Sequence, residues 1–202
     1  AAPHLKVIAR AGTGVDNVDL NAASERGILV LNAPGANSVS VAEHTCALML
    51  TLGRSITRAD AAMKNGQWTK QALLGTELQG KTLGLVGLGR IGQEVASRAR
   101  AFGMQIIAHD PYISEQVAKD FDAELVTLDE LCERSDFVSL HVPTTDATHQ
   151  MFDADQLARC KSGLRLINTA RGDLIDESAL TNAIESGQIG GAGLDVFERE
   201  PP

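Results

Sequence analysis

The short apolar run Thr82 to Val86 leads directly into Gly87-Leu88-Gly89-Arg90-Ile91-Gly92, and from Gln93 to Phe102 the apolar residues return at helical spacing. A G-x-G-x-x-G hexapeptide between a strand and a helix is compatible with few folds. The first glycine permits a tight turn, the second lets a backbone approach a diphosphate, and the third lets the helix pack closely on the strand. The start of that helix adds unpaired N–H groups and a partial positive charge, which suit a pyrophosphate. We therefore expect Gly87, Gly89 and Gly92 to form a dinucleotide cradle. Asp110 ends the next apolar run, 110 − 92 = 18 residues further on, near the spacing at which an acid accepts from the adenosine ribose. A 2′-phosphate about 4 Å from that carboxylate would be repelled by roughly 4 kcal/mol per unit charge. NAD is thus expected over NADP. A turn acid ahead of Pro111 would fit the same position.

Around this unit, runs rich in Val, Ile and Leu alternate with amphipathic stretches, the pattern of parallel strands covered by helices on both faces. The class read from it is α/β, a Rossmann-type doubly wound parallel sheet. Strands are expected at Lys6 to Arg10, Ile28 to Asn32, Thr82 to Val86, Gln105 to Ala108, Asp136 to His141, Arg165 to Asn168 and Gly193 to Val196. Ser40 with Glu43, Thr127 with Glu130 and Asp153 with Gln156 carry capping-box spacing and mark helix starts. One helix is read from Val39 to Asn65, ended by a left-handed Gly66, with an irregular stretch around Trp68. It is too long for a routine crossover, so residues 1–32 are read as a remnant of another domain and residues 33–202 as the dinucleotide-binding domain, truncated at its C-terminal end.

Composition narrows the function. The chain has 202 residues, 44% hydrophobic and 22% charged, enough for a packed core. A net charge of −8 without blocks of like charge argues against nucleic acid or anionic lipid as partner. No apolar run approaches the roughly 20 residues that a bilayer needs, so no membrane role is expected and the protein is placed in the cytoplasm. Cys46, Cys132 and Cys160 are scattered and odd in number, so neither disulfide nor metal is expected. The strand ends at Val142-Pro143, Thr169-Ala170-Arg171 and Asp195 converge on one sheet edge. His141 is read as a packing and wall residue rather than a base, and His4, His44, His109 and His149 are unassigned.

Four ordered motifs, Arg10 to Asp19, the Gly87 to Gly92 loop, Asn168 to Gly172 and Gly193 to Pro201, resemble the D-isomer-specific 2-hydroxyacid dehydrogenases over the whole chain. The resemblance implies NAD as cofactor, contacted at Thr13, Arg90, Ile91, Asp110, Pro143, Thr148, Thr169, Arg171 and Asp195. It also implies a flavodoxin-like substrate domain, of which the N-terminal residues would be the remnant. Arg171 would hold the carboxylate and carbonyl oxygen of a small 2-hydroxy or 2-oxo acid, as a planar guanidinium can through two parallel charge-assisted bonds. Glu200 would pair with a catalytic histidine expected shortly after it, beyond Pro202. On this reading the isolated chain would bind NAD weakly and would not turn over. The first motif is most similar to members that oxidise 3-phospho-D-glycerate. A glyoxylate or hydroxypyruvate reductase is the enzyme alternative, and an NAD-sensing dimeric scaffold like the C-terminal-binding corepressors is the alternative of another class. Val39 to Leu78 resembles the arm through which family members form homodimers or homotetramers.

Overall fold

In the computed structural model, which describes Ala2 and residues 4–202, the chain divides into two compact units, one running to Ser40 and the other Val41–Pro202. In the first, β1 (Val7–Ala9) pairs in parallel with β2 (Leu29–Leu31), and α1 (Leu20–Glu25) connects them. The Asp19 carboxylate caps α1, accepting from the Ala22 N–H at 2.8 Å. This unit extends past Asn32, where the sequence suggested a boundary. Thr13 Oγ1 donates to Asn37 Oδ1 at 2.8 Å, and Asn32 Nδ2 donates to the Thr13 carbonyl at 2.8 Å. Those bonds tie the following segment back to the strand-end loop.

The expected single helix from Val39 to Asn65 is two helices, α2 (Ser38–Arg54) and α3 (Ile56–Lys64). Ser55 separates them in the left-handed region, at φ 52° and ψ 38°. Periodicity continues across such a break, so it leaves no mark on the apolar pattern. Ser40 is not a cap but lies inside the first turn of α2. Gly66 ends α3 as expected, at φ +70°, with the Gln67 N–H donating to the Ala62 carbonyl at 2.8 Å.

The second unit is built on β3 (Thr82–Val86), β4 (Gln105–His109), β5 (Ala123–Leu125), β6 (Phe137–Leu140), β7 (Leu164–Asn168) and β8 (Ile189–Leu194), all parallel, in spatial order β5-β4-β3-β6-β7-β8. Counted from β3, this is the 3-2-1-4-5-6 order of dinucleotide-binding sheets. The crossovers contain α4 (Arg90–Ala101), α5 (Glu115–Asp120), α6 (Leu128–Arg134), α7 (Ala154–Arg159) and α8 (Glu177–Glu185). Leu83, Leu85, Phe137 and Ile167 pack on one face with Met49, Val95 and Ala99, while Val86, Val138, Leu140 and Leu166 pack on the other with Leu131, Leu157 and Leu180. Both faces are therefore dry, which is why the central strands read as continuous apolar runs.

Two strands depart from expectation. β5 was not foreseen, being a three-residue edge strand. β8 runs Ile189–Leu194 rather than from Gly193, and its start was hidden because Ile189 is followed by Gly190-Gly191-Ala192, residue types depleted in strands. The glycines answer to packing: a Cβ on Gly190 would lie 2.5 Å from the Gly163 carbonyl. Thr127 and Glu130 form the expected reciprocal capping box on α6, and Asp153 caps α7 through the Gln156 N–H at 2.8 Å. No described helix is long and apolar enough to cross a membrane.

Candidate functional site

The strand order reverses between β3 and β6, and ligands of doubly wound sheets bind beyond the carboxyl ends of strands at such a point. From β3 comes the glycine loop, and from β6 the segment His141 to Thr148. Gly87 has φ +93°, and a Cβ on it would lie 2.8 Å from the His141 carbonyl oxygen. A Cβ on Gly92 would collide with the carbonyl of Gly87, so this glycine lets α4 start directly against the loop. Gly89 differs from both. Its backbone, φ −72° and ψ −162°, is open to any residue, and a Cβ there would meet nothing within 4 Å. No atom of the described residues fills the space beside it, so the loop is open on that side to an approaching group. Gly89 is also the N-cap of α4 and makes no side-chain cap bond, which leaves the first-turn N–H groups of Arg90 and Ile91 available to an anion.

Asp110 follows β4, where it is the turn acid that Pro111 suggested and also makes a bond to the glycine loop that sequence reasoning missed. Its Oδ2 accepts from the Leu88 N–H at 2.8 Å and its Oδ1 from the Tyr112 N–H at 2.9 Å. The carboxylate thereby ties the glycine loop to the neighbouring strand tip, and each oxygen keeps a lone pair for a sugar hydroxyl.

On the other side of the reversal, Ser139 Oγ lies 3.0 Å from His141 Nε2. Burial pushes the His141 imidazole down to about 4, so the ring is neutral. His141 Nδ1 and Thr144 Oγ1 are shielded from solvent and have no partner among the described residues. Thr148 Oγ1 donates to the Pro143 carbonyl at 2.7 Å and accepts from the Thr145 N–H at 2.8 Å. Pro143 and Thr148, expected as separate contacts, are thus two ends of one turn.

At the tip of β7, Asn168 shapes the turn that presents Arg171: its Nδ2 donates to the Arg171 carbonyl at 2.7 Å and its Oδ1 accepts from the Ala170 N–H at 3.0 Å. Arg171 Nη1 donates to the Ala170 carbonyl at 2.6 Å. A Cβ on Gly172 would run into the backbone of Phe197 and Glu198, so this glycine seats the Arg171 turn against the segment carrying Glu200. Glu200 Oε1 accepts from the Phe197 N–H at 3.1 Å.

The nine-tenths-buried Thr169 pairs its hydroxyl with Thr45 Oγ1 at 2.9 Å, and Thr45 donates to the Val41 carbonyl at 2.9 Å. Asp195, just beyond β8, donates its N–H to the Asn168 carbonyl at 3.0 Å, and its Oδ1 lies 3.3 Å from His44 Nε2. Neither His44 nor Thr45 was foreseen, since α2 precedes the sheet and carries no motif at that point. Thr13 lies in the first unit, on its own hydrogen bonds. In the second unit the loop glycines, Arg90, Ile91, Asp110, Pro143, Thr148, Thr169, Arg171 and Asp195 all follow the carboxyl ends of strands of one sheet. An uncapped helix start, a turn bare of side chain at Gly89 and a carboxylate at the next strand tip fit a dinucleotide. No group of three or more potential metal-ligating residues exists among the described residues.

Residues 46–202 match the family described as D-isomer specific 2-hydroxyacid dehydrogenase, NAD binding domain. The chain is 54% identical over all its 202 residues to the D-3-phosphoglycerate dehydrogenase of Methanocaldococcus jannaschii, and spans 38% of that protein's length. It is also 54% identical over 202 residues to the hydroxypyruvate reductase of Thermotoga maritima, of which it covers 65%. The D-lactate dehydrogenase of Aquifex aeolicus, solved with NAD and lactic acid, superposes with a TM-score of 0.90 at 41% identity, over 98% of this chain and 60% of that one.

Proposed function

Since the chain belongs to the D-isomer specific 2-hydroxyacid dehydrogenase family, we propose that it is the NAD-binding portion of an enzyme that oxidises 3-phospho-D-glycerate to 3-phosphohydroxypyruvate. NAD, when bound, accepts the hydride. The observation that carries the reading is Gly89, whose absent side chain leaves the cradle open where the helix start is uncapped. Asp110 fixes the adenosine ribose at the tip of β4, and the first turn of α4 takes the pyrophosphate. Asp195, just past β8, would offer its carboxylate to the carboxamide N–H groups of the nicotinamide. Thr169 and the Pro143–Thr148 turn line the same edge of the sheet. Arg171 holds the substrate carboxylate. Glu200 serves as the acid of a proton-handling pair, since a carboxylate beside a histidine raises that histidine's proton affinity.

A hydroxypyruvate-reducing role has less support, because phosphoglycerate dehydrogenases of several organisms match the whole chain whereas one hydroxypyruvate reductase stands beside them. Two features support a homodimer formed through the segment Val39 to Leu78, in a cytoplasmic enzyme acting on a small molecule. Trp68 and Leu74 are 79% and 88% exposed, and Met63, Trp68 and Leu73 line an apolar cavity of about 360 Å³.

Gly89→Ser tests the reading. Serine is a good N-cap, so thermal stability should hold or rise, whereas its side chain would fill the cradle and engage the N–H groups. Calorimetric titration should show NADH affinity down at least about tenfold, of the size expected for losing charge-assisted bonds. Unchanged affinity would sink the assignment.

A further inference from the structure

Helix α2 places two consecutive residues behind the far half of the site. Thr45 meets the Thr169 hydroxyl at 2.9 Å, and His44 meets the Asp195 carboxylate at 3.3 Å. The two contacts differ in what they can do. Thr45 is fully buried and Thr169 nine-tenths buried, so their bond anchors α2 to the tip of β7. The His44 and Asp195 side chains are 49% and 53% exposed, and a polar contact that wet contributes little to folding. Yet it joins the first turns of a rigid helix to the residue just past β8, with the anchor one residue away. Geometry of this kind restricts a carboxylate's rotamers more than it stabilises the fold. Asp195 is otherwise held by its backbone, through the N–H bond to the Asn168 carbonyl, which leaves χ1 and χ2 to be set by whatever meets the carboxylate.

We propose that His44 is a positioning residue: its imidazole holds the Asp195 carboxylate in the orientation that receives the carboxamide of the nicotinamide ring. The inference rests on the reading that Asp195 contacts the nicotinamide. α2 then serves as a brace for the reactive end of the cofactor as well as a connector between the two units. His44 itself touches neither cofactor nor substrate; it acts through Asp195.

The test is a cycle of His44→Ala, Asp195→Ala and the double variant in the protein that carries this chain. Each is titrated calorimetrically with NADH and with ADP-ribose, which has the pyrophosphate and both riboses but no nicotinamide. Asp195→Ala should weaken NADH roughly tenfold and leave ADP-ribose unchanged, as expected for losing a hydrogen bond to a charged group. His44→Ala should weaken NADH by roughly two- to fivefold, in keeping with a half-exposed pair, again without touching ADP-ribose. His44→Gln, which keeps a donor near the position of Nε2, should recover most of that loss. In the Asp195→Ala background His44→Ala should cost nothing further. Additive losses in the double variant, or equal losses for NADH and ADP-ribose, would overturn the positioning role and leave Asp195 in place. Asp195→Ala with NADH and ADP-ribose both unchanged would instead remove the underlying assignment of Asp195.

Discussion

Asp110 shows how a single residue can carry two duties that sequence spacing reports as one. Spacing from the glycine loop pointed to a ribose acceptor, while the bond to the Leu88 N–H makes the same carboxylate a clamp on that loop. Asp110→Ala should therefore weaken NADH and also relax selectivity, because the repulsion of a 2′-phosphate disappears with the charge. The ratio of NADPH to NADH affinity should rise at least about tenfold, well inside the roughly 4 kcal/mol available per unit charge. Competitive fluorescence titration of the two cofactors measures it, and an unchanged ratio would remove Asp110 as the discriminator. His141 makes a prediction of another kind. Burial lowers its proton affinity in the folded chain, to about 4, so below pH 6.5 the unfolded chain takes up a proton that the folded one refuses. Stability present at neutral pH is lost as the pH falls from about 6.5 to about 4, by roughly 3 kcal/mol in all, and the loss levels off once the folded state also protonates. Urea unfolding at pH 7 and pH 4.5 should show a decline that His141→Gln largely removes; equal declines in the two proteins would refute the assignment.

Elements were legible where local chemistry and the apolar period agreed. The strand–glycine–helix unit, the capping box at Thr127 and the Gly66 stop all follow from residues within one turn of the feature they specify. Elements were misread where a distant neighbour decides. β8 is glycine-rich because the Gly163 carbonyl crowds Gly190, a contact between residues 190 − 163 = 27 apart. The break at Ser55 is similar, since a non-glycine residue in the left-handed region costs about 1–2 kcal/mol and must be held there by its surroundings. Thr76 N–H donates to the Gly53 carbonyl at 2.6 Å and replaces a helical partner just before the break. Ser55→Gly should relieve the left-handed cost and raise the unfolding free energy by about 0.5–1 kcal/mol, as glycine does at left-handed caps. Chemical denaturation checks it, and a destabilised variant would mean that the serine side chain contributes something the geometry does not reveal.

At the scale of the whole molecule, the exposed apolar arm is the feature that one copy leaves unexplained. With Trp68 and Leu74 so open, a Trp68→Glu, Leu74→Glu variant should shift the mass from dimer to monomer in light scattering while NADH affinity is retained. An unchanged mass would overturn the proposed homodimer through this arm. What the amino-acid order determined by itself was the class of sheet, the glycine cradle and the identities of the residues at the strand ends, because each depends on local backbone freedom and on a period of apolar residues. What only the folded chain decided was which of those ends face one another. Strand order, the seating of Gly172 against Phe197, and the meeting of Thr45 with Thr169 and His44 with Asp195 depend on contacts across more than a hundred residues in the last two cases. No period or spacing encodes such pairings, since they are selected by the free energy of packing the whole sheet between its helices.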